Sequence, residues 1–211
     1  HEAKALIFTE SKDYERAIDE FNRVLVRNPK DAEAKINLAT LDFYLGNKQR
    51  AAATLEEILH QSPNEAFGYN TLNQIYLELS SLDLAYRAIQ QALRLDPNNA
   101  FFLNNRGFTY LEMDSTALAL IDINQSIVLT PDNPWSYRNK GYYYYKMGDF
   151  TQAIRYLKQS LEMDENVKGA HLMLGMTYFS DGQSGMACQA WQIAMDVGND
   201  KAQAYLNDHC N

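Results

Sequence analysis

Basic residues are in the minority. Nineteen Lys and Arg stand against 27 Asp and Glu, giving a net charge of -8. Neutralising a nucleic-acid backbone takes a clustered basic face, which these scattered cations do not supply, so no nucleic-acid partner is expected. No apolar run approaches the roughly 20 residues of a membrane-spanning helix, so no transmembrane segment is expected either. Glycine (10) and proline (5) are sparse and 46% of residues are hydrophobic, the reverse of what long disordered segments are made of. The usual marks of chemistry are missing too. His1, His60, His171 and His209 fall at unrelated places, and there is no Gly-rich phosphate loop, no histidine pair on one helix face and no serine elbow. Carboxylates such as Glu15, Glu56 and Glu57 lie on polar helix faces, where solvated charge is ordinary. No nucleophile or base has an orienting partner, so the chain is read as a non-enzyme with no catalytic residue, no cofactor and no metal site.

The few prolines are placed with regularity. Pro29, Pro63, Pro97 and Pro131 stand 34 residues apart, and Glu165 holds the next rung. An alanine stands twelve residues before each: Ala17, Ala51, Ala85, Ala119 and Ala153, with Ala187 next in line. Gly107, Gly141 and Gly175 form a third column in the same phase. A fixed 34-residue period with two helical patterns and two breaks marks a helical repeat array. Each proline stops a helix, because it cannot continue one and pushes its predecessor out of the helical region. Asp31, Asn99 and Asn133 then stand where the next helix needs an N-cap, with Pro134 at the first helical position. Inside the repeats, the breaks at Gly46-Asn47, Ser80-Ser81, Asp114-Ser115, Gly148-Asp149 and Gly182-Gln183 predict tight turns and antiparallel helix pairs. The small residues mark close backbone approach, where a larger side chain overpacks; Gly141→Leu is expected to uncouple neighbouring repeats.

These columns resemble the tetratricopeptide repeat. The eighth place of that pattern is Ala39, Asn73, Gly107, Gly141 and Gly175, and the eleventh is Asp42, Tyr76, Tyr110, Tyr144 and Tyr178. The twenty-fourth is Phe21, Leu55, Ile89, Ile123, Leu157 and Trp191. Asp42 and Asn73 depart from it. The resemblance covers essentially the whole chain and implies an all-α, right-handed α-solenoid of about six stacked antiparallel helix pairs. The repeats run 1–31 (lacking its start), 32–65, 66–99, 100–133, 134–167 and 168–201, with a capping helix over 202–211, as one array over 1–211. A first helix carries Ala3, Leu6 and Ile7. The chain opens at His1 without an initiator Met, as expected of a processed or partial product whose targeting signal is out of view.

Both cysteines fall in the last module. Cys188 lies ten residues before Gly198 and Cys210 eleven after Asn199, so an antiparallel pair sets them at nearly equal heights. A disulfide there implies an oxidising, periplasmic or extracytoplasmic compartment. The alternative is two separate thiols and a cytoplasmic protein. A Cys-Cys-His zinc site with His209 lacks a fourth ligand.

The resemblance further implies a groove lined by the first helix of each repeat. It maps onto Asn37 and Thr40; Phe67, Asn70, Thr71 and Gln74; Phe101, Asn104, Asn105 and Phe108; Trp135, Arg138, Asn139, Tyr142, Tyr145 and Lys146; and Met173, Met176 and Phe179. Asn37, Asn105 and Asn139 share the sixth place, resembling an asparagine ladder that pairs with a peptide main chain, since an amide carries both donor and acceptor. Phe101, Phe108, Trp135 and Tyr142 add apolar area, and Arg138 and Lys146 favour an acidic group. The clamp for acidic chaperone tails is not expected, because the fifth and ninth places carry Ile36 with Thr40, Asn70 with Gln74 and Asn104 with Phe108. The implied function is a non-catalytic scaffold binding an extended peptide or a partner helix. A structural module that self-associates or docks through its ends, or the regulatory part of a longer enzyme, are the alternatives.

Overall fold

The computed structural model describes residues 13–210, so the helix expected around Ala3, Leu6 and Ile7, and His1 itself, lie outside the described residues. Among the described residues the chain is twelve α-helices: α1 (Tyr14–Arg27), α2 (Ala32–Tyr44), α3 (Lys48–Gln61), α4 (Ala66–Glu78), α5 (Leu82–Leu95), α6 (Ala100–Glu112), α7 (Thr116–Leu129), α8 (Pro134–Lys146), α9 (Phe150–Met163), α10 (Ala170–Ser180), α11 (Ser184–Asp196) and α12 (Ala202–His209). First helices begin at 32, 66, 100 and 134 and second helices at 14, 48, 82, 116, 150 and 184, which is the 34-residue period made physical. The chain divides into two compact units, His1–Pro97 and Asn98–Asn211.

Local chemistry sets each boundary. Asp31 accepts from the Ala34 amide at 3.0 Å, Asn99 from the Phe101 and Phe102 amides at 3.1 and 3.3 Å, and Asn133 from the Trp135 amide at 3.1 Å. Each side chain satisfies donors that the first helical turn leaves open. Within the repeats the chain turns at Gly46, Ser80, Asp114, Gly148 and Gly182, all with positive φ. That left-handed residue ends one helix and aims the next back along it.

Clusters of buried side chains hold the first unit together. One holds Ala17, Phe21, Ala34 and Leu41. Another joins α2 to α5 through Ile36, Phe43, Leu55, Leu59, Leu72 and Ile75. In the second unit, Leu111, Ala119 and Ile123 form one cluster, and Leu157, Leu174, Tyr178, Ala190 and Trp191 another. All six alanines of the repeating column are fully buried. A Cβ placed on Gly107 would lie 2.7 Å from the Ile123 side chain, on Gly141 2.6 Å from Leu157, and on Gly175 2.4 Å from the Trp191 ring. These partners are the twenty-fourth residues of the same repeats. The glycine column therefore sets how closely the two helices of one repeat approach, and the expectation that it couples neighbouring repeats is corrected to that extent.

The last full repeat departs from the period. With Glu165 in the place of a proline, Asp164 accepts from the Asn166 amide at 2.9 Å and Val167 is buried. The chain then passes through Gly169 at φ 83°, so α10 starts at Ala170, two residues later than the period predicts. Lys168 is thereby left outside a helix.

The structure joins Cys188 to Cys210 by a disulfide, with Cα atoms 5.7 Å apart.

Candidate binding face

Two adjacent first helices of the second unit, α6 and α8, bring together most of the residues singled out in the sequence, and their centre is Arg138. Its guanidinium lies over the Phe108 ring at 4.9 Å and the Trp135 ring at 5.1 Å. Its Nε and Nη2 donate to Asn139 Oδ1 at 3.0 and 2.6 Å, and its Nη1 donates to the Lys168 carbonyl at 2.9 Å. That carbonyl is available because α10 begins late. Three of the five N–H bonds of the guanidinium are thus spent within the protein. Burial pulls the Arg138 pKa down to about 10, with the nearby Glu112 carboxylate acting in the opposite direction, so the group still carries its charge at neutral pH.

Aromatic rings continue the face. Phe108 meets Tyr142 at 5.9 Å, and Tyr142 stacks on Tyr145 at 6.2 Å. Burial, and next the charge of Glu112, which is also the hydroxyl's hydrogen-bond partner, push Tyr142 well above the usual phenol range. The Lys146 ammonium lies 5.7 Å from the Tyr142 ring centre and pairs with Asp114. Phe101 leaves 53% of its surface exposed, and Phe179 on α10 is also exposed.

The asparagines separate into two groups. Asn139 is fully buried and Asn104 nearly so. Asn139 Nδ2 donates to Asn104 Oδ1 at 2.8 Å and to the Asn104 carbonyl at 3.3 Å, while its Oδ1 takes both bonds from Arg138. Its amide is spent tying α8 to α6, so the expectation that Asn139 offers donor and acceptor to a peptide is corrected. The cause is the period itself: the sixth residue of one first helix lies against the fifth of the preceding one. Lys146 pairs with Asp114, just past the end of α6. Asn105 is half-buried on α6. In the first unit, Asn37 is half-buried on α2, and Asn70 is buried on α4.

Sequence reasoning missed Asp114, Glu112 and the Lys168 carbonyl as parts of this face. The first two stand at the end of α6 and just past it, where a negative charge reads as turn chemistry. The third follows from the displaced start of α10, for which the missing proline at Glu165 was the only signal.

Antiparallel helix pairs repeated every 34 residues, interlocked by alanine and glycine, define an all-α helical-repeat solenoid protein. Tetratricopeptide repeat profiles match residues 8–72, 68–99, 88–120 and 134–167. The chain belongs to the tetratricopeptide repeat family. No curated protein matches it in sequence. Among solved structures it is similar to a chain of the APC/C hetero-tetramer Cut9-Hcn1, at 18% identity and a TM-score of 0.81 over 99% of this chain and 42% of that one. It thus spans about two fifths of that relative's length. It is also similar to a thermophilic TPR protein of Thermus thermophilus (22% identity, TM-score 0.72, 84% of this chain and 97% of that one). A third is PilW, a type IV pilus biogenesis factor (25%, 0.66, 84% and 92%). Tetratricopeptide repeats are protein–protein interaction modules, and their fold is generally non-catalytic. Among the described residues no helix is long and apolar enough to cross a membrane.

Proposed function

We propose that the face of α6 and α8 binds a protein partner as an extended peptide or helix, with apolar side chains set against Phe101, Phe108 and Trp135 and an acidic group on Arg138. The observation that carries this reading is the Arg138 guanidinium, flanked by two aromatic rings and fixed by Asn139 and the Lys168 carbonyl, with two N–H bonds still to give. A pre-positioned, partly desolvated arginine beside aromatics is the usual make-up of an interface hot spot. Asn105, half-buried on the same helix as Phe101 and Phe108, has the amide chemistry that pairs with a main chain. In the other unit, Asn37 and Asn70 hold the sixth and fifth places of the first helices α2 and α4. The Cut9-Hcn1 assembly, in which a structurally similar chain holds a protein partner, agrees with the class of function. The disulfide is best suited to an extracytoplasmic compartment.

Peptides selected on the intact chain from a random library test the reading. Phe101→Ala and Trp135→Ala are each expected to weaken such a peptide by about tenfold or more, the range of a hot-spot truncation, with helical circular dichroism unchanged. Arg138→Gln is expected to abolish any preference for acidic residues. Selected peptides that bind both alanine variants with undiminished affinity would show that this face is not the site.

A further inference from the structure

The last of the described helices, α12, is weakly equipped to hold its place. α12 has eight residues, its N-cap Lys201 makes no side-chain cap, and Ala202 is its one buried residue. An isolated helix of that length is not stable in water. What holds it is its seat on α10 and α11. Tyr205 stacks on Trp191 at 5.1 Å, and the His209 ring lies 4.3 Å from Phe179 and 5.8 Å from Trp191. Leu206 and Cys210 pack against the same cluster. The disulfide ties the far end of this helix back to α11. At the near end stands a linker over 197–201, with Gly198 at φ 83°.

We propose that the seat on α10 and α11 is also the docking surface for α12 of a second copy of the chain, and that the Cys188–Cys210 disulfide decides which copy's helix fills it. In the oxidised chain the helix is bonded to its own seat and the surface is closed. Reduction by a dithiol breaks the S–S bond: each sulfur takes one electron and one proton and becomes a thiol, and the dithiol closes to its own disulfide. The released helix keeps only its non-covalent contacts. Glycine leaves the left-handed region at no steric cost, and an extended five-residue linker reaches about 17 Å. The occupant is a second copy because the complement of this surface is visible: Tyr205 and His209, four residues apart on a helix. An incoming α12 brings the same residues, so exchange restores every contact, which makes it a low-cost route to a dimer. This inference does not rest on the binding face of α6 and α8.

The intact chain carrying Trp135→Phe leaves Trp191 as its single tryptophan. Reduction with a dithiol is expected to move Trp191 emission toward that of exposed indole at low concentration, and back as concentration rises and dimers appear in sedimentation. An equimolar mixture of C188S and C210S chains, oxidised together, is expected to yield dimers bridged from Cys188 of one chain to Cys210 of the other, as mapped by mass spectrometry. Should the serine variants fail to fold, reduction of the otherwise intact chain decides alone. Trp191 emission unchanged on reduction would show that the helix holds without the bridge, and overturns the proposal. So would exposed Trp191 in a chain that stays monomeric at every concentration, leaving the seat to another protein's helix, or dimers bridged indiscriminately between like cysteines.

Discussion

The two units solve the same packing problem with different chemistry. In the second, the eighth place of each repeat is Gly107, Gly141 or Gly175, and the facing Ile123, Leu157 or Trp191 fills the space where a Cβ would stand. In the first, the corresponding place holds Ala39 and then Asn73. Asn73 is fully buried and donates to the Ala85 carbonyl at 3.0 Å, linking α4 to α5 by a hydrogen bond. The eleventh place differs in the same sense. Tyr144 stacks on Tyr156 at 5.3 Å in the second unit, whereas Asp42 in the first accepts from Arg50 at 2.6 Å and from Asn47 at 2.8 Å. A repeat thus tolerates a departure from its apolar pattern where the replacement finds a partner in the adjoining helix of the same pair.

The comparison is broken most severely at Gly141. Gly141→Leu is expected to cost about 3 kcal/mol or more by overpacking against Leu157, read as a lower denaturant midpoint; a midpoint equal to the parent's would refute the helix approach described. Next comes Asn139→Ala, which strips Arg138 and Asn104 of a buried partner and is expected to cost about 2 kcal/mol. Phe101→Ala, at an exposed side chain on the same face, is expected to leave stability nearly unchanged, so equal losses in the two variants would erase the distinction between framework residues and candidate contact residues. Asn73→Ala sharpens the contrast between units: losing the neutral hydrogen bond to the Ala85 carbonyl is expected to cost about 1 kcal/mol or more, short of the Gly141 variant.

The smallest effect concerns Asp42. Its hydrogen bond from Arg50 holds the carboxyl below its ordinary pKa, with burial opposing and Asn47 assisting. A carboxylate with a depressed folded pKa stabilises the fold above its unfolded pKa and loses that contribution as pH falls through the folded value. Acid titration below about pH 4 is therefore expected to soften the parent slightly more than Asp42→Asn. Identical acid profiles would count the pair as energetically silent, as exposed ion pairs often are.

Much of this was legible residue by residue. Proline at 34-residue spacing fixed where helices stop, and Asp31, Asn99 and Asn133 cap as their types require. The phase of the alanine column alone named the buried helix seam. The candidate face was half legible: periodicity placed Phe101, Phe108, Trp135, Arg138 and Tyr142 on first helices, but Asn37, Asn105 and Asn139 were given one role.

Helix limits, turn positions and the small-residue seams were determined by the sequence itself, because backbone sterics and caps act within a few residues of where they are written. Tertiary structure alone decided that Asn139 serves the framework and that Arg138 is fixed between Asn139 and the Lys168 carbonyl. Asn104 and Asn139 are 35 residues apart, and Arg138 and Lys168 are 30 apart. Whether such groups meet depends on how one helix pair lies on the next, and here that depended on a helix beginning two residues late after a missing proline.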